Sequence, residues 1–265
     1  MTVITAEDIK AEGWRDVVEM LRYVVGIDIN NNGLSPDIGI RGVNPGLSFG
    51  DKIVLLIDGH NMSWRQLNRN STFISIDVIK RIEIIRGPGS TLWGANALTG
   101  VINIITKTAQ DFKGTSMTAG GSPLSGSYFL TLQSGHELVE GLTFRSAFSL
   151  YRNNRSPVLA PIYEFTKIGN FRYFSKGDEE TNYYFYSQLS WKGLGLRFFY
   201  NRVDLYAPQS SFSQGIGGEN THLVADRLIT KMSWLQSLGN WGVLLFWSSY
   251  DYIRLRRESQ YEANP

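Results

Sequence analysis

The sequence has no cysteine and only three histidines among its 265 residues. The absence of cysteine excludes a disulfide-stabilised scaffold and any metal site that is built from thiolates. His60, His136 and His222 lie far apart and do not have the spacing of a zinc motif such as HExxH. We therefore expect no metal site and no resident cofactor.

Charge and long apolar runs are also scarce. The formal net charge of +2 is too small to predict a nucleic-acid partner. No apolar run approaches the ~18 to 20 residues of a membrane helix. Residues 1–30 lack the basic start and apolar core of a signal peptide. Either the protein stays inside the cell or its export signal is missing from this sequence, and the second half of the chain favours a missing signal.

Composition still allows a folded protein with a core. Hydrophobic residues make up 42% of the chain and charged residues 19%, which is not the composition of a disordered protein. A chain of this length forms one or two domains. The pattern of strands and helices changes near residue 109. We expect domains at 1–109 and 110–265.

The stretch at 80–107 organises the first domain. Two apolar β-type runs, Arg81–Ile85 and Val101–Thr106, flank a segment that is rich in glycine and small residues. Pro88 disfavours the helical region for the residue before it, so Gly87 is expected to be extended or in a turn. The charged side chain of Arg86 therefore stands at a rigid corner.

The remaining residues of the first domain predict a small α+β unit. Thr5 is a plausible helix N-cap, with Asp8 three residues later in the first turn. Apolar residues then follow a rough helical stripe: Ile9, Val17, Met20, Leu21 and Val24. Residues 38–43 are predicted to form a short strand, and residues 74–79 a short helix. The run 53–57 is almost wholly apolar, which favours a strand covered on both faces.

After Thr108 the apolar pattern changes to a period of two, which is typical of strands with two different faces. About seven strands are expected, each roughly the 9 to 11 residues of a tilted membrane strand. Connections are short at 192–193 and 238–240 but long at 152–181 and 206–222. Tryptophans near the strand ends suit the aromatic girdles of a membrane barrel: Trp191, Trp234 and Trp241. A soluble β-sandwich or lipocalin-like barrel would alternate in the same way.

Four ordered motifs resemble the plug domain of TonB-dependent outer-membrane receptors. The run KRIEIIRGPGSTLWGANALTGVINIITK at 80–107 is similar to the family pattern IERIEVIRGPxSxLYGxxAxxGVINIITK. Residues 37–42 resemble its I-R-G strand, residues 52–59 its V-L-V-L-I-D-G strand, and residues 6–30 its opening helix and turn. The resemblance covers about the first 108 residues. It implies an α+β plug domain followed by antiparallel transmembrane β-barrel strands.

The resemblance also implies a function. Such receptors import a scarce nutrient, such as a ferric siderophore, cobalamin or haem, across the Gram-negative outer membrane. A TonB-type inner-membrane protein supplies the energy, so the expected partners are that protein, the nutrient ligand and outer-membrane lipid, with no nucleic acid. A plugged barrel has about 22 strands. About seven strands cannot close around a plug, so we expect an incomplete barrel in a truncated receptor.

Two other interpretations stay open. A plug-like binding or signalling module could have its partial sheet completed by another subunit. A soluble α+β hydrolase would instead have a site around Asp58 and His60. The enzyme interpretation is weaker because no G-x-S-x-G elbow accompanies these residues. Residues 87–91 likewise lack the GK[ST] ending of a phosphate loop. We therefore expect a receptor rather than an enzyme.

Ligand capture is expected in the loop that follows Gly59. Its polar and aromatic residues offer stacking surfaces and charged donors to a chelate or anionic ligand. The candidates are Asn61, Trp64, Arg65, Gln66, Asn68 and Arg69. The alternative is a solvated loop in which Trp64 only packs on the domain. Residues 44–49 are a weaker second candidate.

Three charged residues stand on or beside apolar strands: Arg41, Glu83 and Arg86. A buried charge must be paired, because an isolated buried ion costs several kcal/mol. They could form ion pairs inside the domain that only stabilise its fold. The resemblance implies instead that they contact the barrel wall and hold the plug in place.

Overall fold

A computed structural model describes residues 1–14, 16–31, 36–43, 52–62, 74–94, 97–122, 126–154, 158–164, 167–174, 179–207 and 221–259. The chain divides into two compact units, Met1–Lys107 and Thr108–Pro265. Among the described residues, no helix has the length and apolar composition needed to cross a membrane.

The first unit is a mixed α+β domain. Its strands are β1 (Thr2–Thr5), β2 (Ile27–Asn31), β3 (Pro36–Ile40), β4 (Ile53–Ile57), β5 (His60–Asn61), β6 (Ile79–Arg86) and β7 (Gly100–Thr106). Its α-helices are α1 (Ala6–Glu12), α2 (Val17–Leu21) and α3 (Ser90–Trp93), and a 3₁₀ helix spans Ile76–Val78.

The N-terminal helix begins as the sequence predicts. The Thr5 hydroxyl accepts a hydrogen bond from the Asp8 amide at 3.2 Å, and the Asp8 carboxylate accepts one from the Thr5 amide at 2.8 Å. This capping box satisfies two amides that the helix itself leaves unpaired. The helix ends at Gly13, which adopts the left-handed conformation. All five residues of the predicted stripe are buried.

A five-stranded sheet forms the centre of the first unit, in the order β1-β6-β7-β4-β5. Strands β6 and β7 are antiparallel, whereas β4 runs parallel to β7. Strand β4 buries every residue from Val54 to Ile57, as its unbroken apolar run predicts. At the start of β7, a Cβ on Gly100 would stand 2.6 Å from the Ile85 carbonyl oxygen, so only glycine fits there.

One predicted strand ends earlier than expected. The prediction of a strand over 38–43 is wrong at its C-terminal end, because β3 stops at Ile40. Arg41 and Gly42 both have positive φ, at 56° and 73°. Left-handed residues cannot continue a strand, so the chain turns there. Strands β2 and β3 pair as a separate two-stranded sheet.

The second unit is a meander of long strands. They are β8 (Gly114–Ser122), β9 (Ser127–Val139), β10 (Leu142–Asn154), β11 (Val158–Glu164), β12 (Lys167–Phe174), β13 (Glu179–Trp191), β14 (Leu194–Ala207), β15 (Thr221–Ser237) and β16 (Val243–Ser259). Seven of them form one antiparallel sheet in the order β16-β15-β14-β13-β10-β9-β8, which confirms the predicted number of barrel strands. Within the described residues, β8 and β16 do not pair, so the sheet is open.

One local prediction in this unit is wrong. The segment 152–181 is not a plain loop, since β11 and β12 pair there as a hairpin. The three tryptophans do lie near strand ends. Trp191 ends β13, Trp234 lies three residues before the end of β15, and Trp241 lies in a 3₁₀ turn two residues before β16.

The seven-stranded sheet has a buried face and an exposed face. The buried face carries many polar side chains among its apolar ones, including Gln133, Arg145, Asn182, Asn201 and Arg227. The exposed face carries large apolar side chains, including Leu132, Phe148, Phe185, Leu196 and Met232. Because strand residues alternate between faces, each strand contributes to both. The large apolar side chains on the exposed face are unusual for a protein surface in water.

Candidate functional site

The carboxylate of Glu83 is engaged within the first unit. Its Oε1 atom lies 2.7 Å from Arg81 Nε, and its Oε2 atom accepts a hydrogen bond from Asn103 Nδ2 at 3.1 Å. Glu83 and Asn103 stand directly opposite each other on β6 and β7. The side chains of Arg81 and Glu83 are about a third and a quarter exposed. Glu83 therefore joins two strands of the domain.

The guanidinium of Arg86 joins three segments that are distant in sequence. It donates hydrogen bonds to the carbonyl of Val25 and to the hydroxyl of Thr2, the latter at 2.8 Å. Thr2 begins the edge strand β1, and Val25 lies in the turn between α2 and β2. Arg86 thus stabilises the position of the N-terminal strand against the end of β6.

Arg41 meets the same turn through its backbone. Its amide donates to the Gly26 carbonyl at 2.9 Å, while its side chain is exposed. Among the described residues, the Arg41 guanidinium has no hydrogen bond or ion pair. The structure therefore brings Arg41 and Arg86 to the turn at 25–26, whereas Glu83 belongs to a different group of side chains.

Asp58 has a structural role at the ends of β4 and β7. Its two carboxylate oxygens accept hydrogen bonds from the Thr106 amide at 2.9 Å and the Thr106 hydroxyl at 2.7 Å. Asp58 itself adopts positive φ, 48°, and begins the turn to β5. His60 lies in that short strand. The described residues contain no group of three or more side chains that could hold a metal ion.

The predicted ligand loop is only partly described. Asn61 is exposed at the end of β5. Trp64, Arg65, Gln66, Asn68 and Arg69 lie outside the described residues, as do residues 44–49. The assignment of ligand capture to these residues stays a prediction.

The family model of the TonB-dependent Receptor Plug Domain matches residues 1–101. These residues are a TonB-dependent receptor plug domain. The matched segment includes β6, the Arg86 corner and the start of β7. The plug assignment rests on this match together with the five-stranded sheet in which Arg86 and Asp58 hold the strand ends.

Two curated relatives match part of the chain. The chain is 38% identical over 118 residues to the iron-regulated outer membrane virulence protein of Vibrio cholerae serotype O1, which is 42% of this chain and 17% of that protein. It is 30% identical over 122 residues to the vitamin B12 transporter BtuB of Vibrio vulnificus, which is 45% of this chain and 19% of that protein. The chain thus matches less than a fifth of the length of each relative.

Solved structures extend the likeness beyond the plug. The siderophore receptor PirA from Pseudomonas aeruginosa matches 97% of this chain and 41% of its own, with 22% identity and a TM-score of 0.64. The ferric yersiniabactin uptake receptor FyuA from Yersinia pestis also matches 97% and 41%, with 19% identity and a TM-score of 0.65. At these identities the likeness shows the fold. It confirms a plug followed by an incomplete barrel.

One polar region of the second unit was not predicted from the sequence. On the exposed face, the ends of the strands near the long connections carry charged residues, among them Arg152, Arg202, Asp204, Asp226, Arg254 and Glu258. We call these six residues the rim. The signal was present on three strands, because apolar residues at every second position give way to charged ones toward the ends of β10, β14 and β16 that lie near the long connections.

Proposed function

We propose that this chain is the plug and first barrel strands of an outer-membrane receptor that imports a scarce nutrient, such as a ferric siderophore, cobalamin or haem. A TonB-type inner-membrane protein is the proposed source of energy. The observation that carries the proposal is the combination of a plug domain with a following sheet whose exposed face is apolar.

The exposed face supports a place in the outer membrane. Soluble proteins rarely leave a large contiguous apolar surface in water. Trp191 and Trp234 both stand opposite Leu194 on neighbouring strands, next to the short turns. Aromatic residues at one end of an apolar band are typical of membrane barrels. The proposed domain boundary, 1–109 and 110–265, places the whole apolar band in the second domain.

The proposed mechanism assigns different tasks to the plug residues. The loop containing Asn61, Trp64, Arg65, Gln66, Asn68 and Arg69 captures the ligand. The charged residues Arg41, Glu83 and Arg86 hold the plug until its N-terminal end is pulled. The exposed guanidinium of Arg41 is available to an acidic partner. The bonds of Arg86 to Thr2 and Val25 support a complementary task, in which Arg86 keeps the N-terminal strand attached.

A second function is favoured by the open sheet. In the described residues, both β8 and β16 present an unpaired edge. A plug-like binding module whose sheet is completed by another subunit would use those edges. Such a module would bind a ligand without energised uptake.

Uptake measurements separate these functions. We expect deletion of the gene to abolish uptake of one radiolabelled nutrient among ferric siderophores, cobalamin and haem. A plasmid copy should restore it, and a protonophore or loss of the TonB-type protein should abolish it again. Binding to cells that is unaffected by the protonophore, with no accumulation inside, would favour the module.

The ligand loop is tested by substitution. Trp64→Ala or Arg65→Ala should weaken ligand binding to the purified receptor, because stacking and charged donors are lost. Lys107→Ala is a matched control, since its ammonium bonds the Asp77 carbonyl within the plug at 2.8 Å. Unchanged affinity in both loop variants would exclude the loop as the site of capture.

A further inference from the structure

The exposed face of the sheet changes character along the strands. Next to the short turns, one cross-strand row is wholly apolar: Leu142, Trp191, Leu194, Trp234 and Phe246. Toward the long connections, a parallel row reads Leu150, Tyr183, Arg202, Asp226 and Arg254. The next row reads Arg152, Thr181, Asp204, Val224 and Arg256. The apolar band therefore ends at a defined level.

That level matches the edge of a lipid hydrocarbon layer. Rows on one face are two residues apart, which is about 6.7 Å along a strand. With the tilt of membrane strands, about 40°, each row rises roughly 5 Å along the membrane normal. Trp191 and Tyr183 are four rows apart, so the band between them is about 20 Å tall. In the proposed outer-membrane location, the rim would lie where lipid headgroups replace acyl chains.

A groove of ≈ 280 Å³ lies at this level of the exposed face. It is lined by Tyr128, Leu150, Arg152, Asn154, Glu179, Thr181, Tyr183, Asp204 and Tyr206. Tyr128 and Tyr183 are 42% and 39% exposed, so their rings present surface to the surroundings. The Nε atom of Arg152 donates to Asn154 Oδ1 at 2.8 Å. Its other guanidinium nitrogens bond no other described residue.

The side chain of His222 contacts two residues that line one wall of the groove, Tyr206 and Asp204. The rings of Tyr206 and His222 stack with centroids 4.2 Å apart and planes 3° apart. His222 Nε2 lies 2.9 Å from Asp204 Oδ1, and its Nδ1 lies 3.7 Å from Glu258 Oε2. These contacts join β14, β15 and β16. The Tyr206 ring and the Asp204 carboxylate are therefore fixed before any ligand arrives.

We propose that this groove binds the phosphorylated sugar headgroup of an outer-leaflet lipid, an inference that rests on the outer-membrane location in the proposed function. The planar guanidinium of Arg152 matches a phosphate with two parallel hydrogen bonds. Tyrosine rings pack against sugar faces and present hydroxyls to the polar layer. Glu179, Thr181 and Asp204 accept hydrogen bonds from sugar hydroxyls.

The charges of the groove favour this ligand over a simple anionic lipid. Two carboxylates, Glu179 and Asp204, accompany the cation Arg152. A surface that only attracted negative lipids would be basic throughout. A headgroup with both phosphate and hydroxyl groups uses the acidic and the basic side chains. Its acyl chains would continue over the apolar band below, past Leu150.

Native mass spectrometry of the receptor, as its gene encodes it, tests the proposal. The purified protein in detergent is titrated with a synthetic bis-phosphorylated, acylated glucosamine disaccharide. Phosphatidylglycerol and the dephosphorylated disaccharide lipid serve as comparison probes. Arg152→Ala should weaken binding of the phosphorylated probe about tenfold, the loss of one charged bidentate contact. Arg256→Ala is the matched control, because Arg256 occupies the same row outside the groove.

Each result decides the proposal. Selective loss in Arg152→Ala, with Arg256→Ala close to the parent, supports it. Equal loss in both variants, or equal binding of phosphatidylglycerol, overturns it in favour of diffuse charge attraction. If Arg152→Ala does not fold, Tyr183→Leu replaces it. This change keeps the apolar band and should weaken binding severalfold, and an unchanged affinity would also overturn the proposal.

The failure of this inference can be told from failure of the proposed function. A receptor that fractionates with the outer membrane and binds the phosphorylated probe, but imports no nutrient, refutes the uptake proposal alone. A receptor that imports its nutrient and shows no selectivity among the lipid probes refutes the headgroup site alone. A protein that is absent from the outer membrane refutes both.

Discussion

The plug and the seven-stranded sheet differ in how many polar side chains they bury. In the described part of the plug, the buried residues are almost all apolar, such as Ile82, Ile84 and Ile102, and Thr106 is the polar exception. The sheet buries Arg145 and Asn182 while it exposes large apolar residues. The difference is expected of a chain that folds for two surroundings. In the proposed receptor, the plug keeps an apolar core and the sheet turns its apolar face to lipid.

Arg145 shows what the burial of a charged side chain requires of the sheet. Its side chain is fully buried, its Nη2 donates to Gln133 Oε1 at 3.4 Å, and its guanidinium lies over the Tyr186 ring at 5.8 Å. Burying an unpaired ion costs several kcal/mol, so such a side chain needs polar neighbours. The buried face of the sheet supplies them, whereas the plug core does not.

The largest expected effect is in the plug core. Ile102→Ala should reduce the free energy of unfolding of the plug by about 2–5 kcal/mol, because the cavity stays inside a packed core. Leu196→Ala on the exposed face should destabilise the sheet far less, since lipid fills the space in the proposed receptor. Urea titration in lipid vesicles followed by deuterium uptake measures the first change in plug peptides and the second in peptides of β14. Comparable losses would contradict the division into two surroundings.

A charge placed on the exposed face should have the next largest effect. Phe198→Arg lies midway along the apolar band and should destabilise the sheet in lipid vesicles by roughly 2–4 kcal/mol. Tyr183→Arg, at the level of the rim, should cost about 0–1 kcal/mol. Unfolding by urea from vesicles gives both values. Equal costs at the two positions would mean that the band does not face hydrocarbon.

A smaller effect is expected where the plug uses a polar contact. Asp58→Ala removes both acceptors for Thr106 and should reduce plug stability by about 1–3 kcal/mol. Asp77→Ala is the control, since the Asp77 carboxylate bonds no described residue. Deuterium uptake at the end of β7 reports the change. An effect no greater than that of Asp77→Ala would remove Asp58 from the plug framework.

The smallest expected effect depends on pH. Hydrogen bonds from the Thr5 backbone and side chain lower the pKa of Asp8 below its ordinary value of 3.8. A lowered folded-state pKa means that the stabilisation is present above that ordinary value and is lost as pH falls through the folded pKa. Protection of the α1 amides should decrease over that range. Asp8→Asn should flatten the dependence, and a dependence unchanged in that variant would assign it to another group.

Local features of the fold were predictable from the sequence. The capping box at Thr5 and Asp8 involves residues three positions apart, and the strand β4 is a short unbroken apolar run. The alternation that predicted seven barrel strands is a property of neighbouring residues. Each of these signals operates within one element, so no knowledge of the partner strand was needed.

Other features could not be predicted because they join distant segments. Arg86 bonds Thr2, which is 84 positions away, so its sequence context shows a rigid corner but not its partner. The hairpin of β11 and β12 interrupts a segment with weak alternation. The groove at the rim depends on the register of β9, β10, β13 and β14, which sets which side chains stand side by side.

The resemblance to the plug family, the seven strands of the main sheet and the alternation of its two faces could be derived from the sequence, because they follow from motif order and from the strand period of two. The bond from Arg86 to the N-terminal strand, and the gathering of charged side chains at one edge of the apolar band, became visible in the folded structure. Those results depend on strand register and on contacts between residues far apart in the chain. Neither is encoded by any single stretch of sequence.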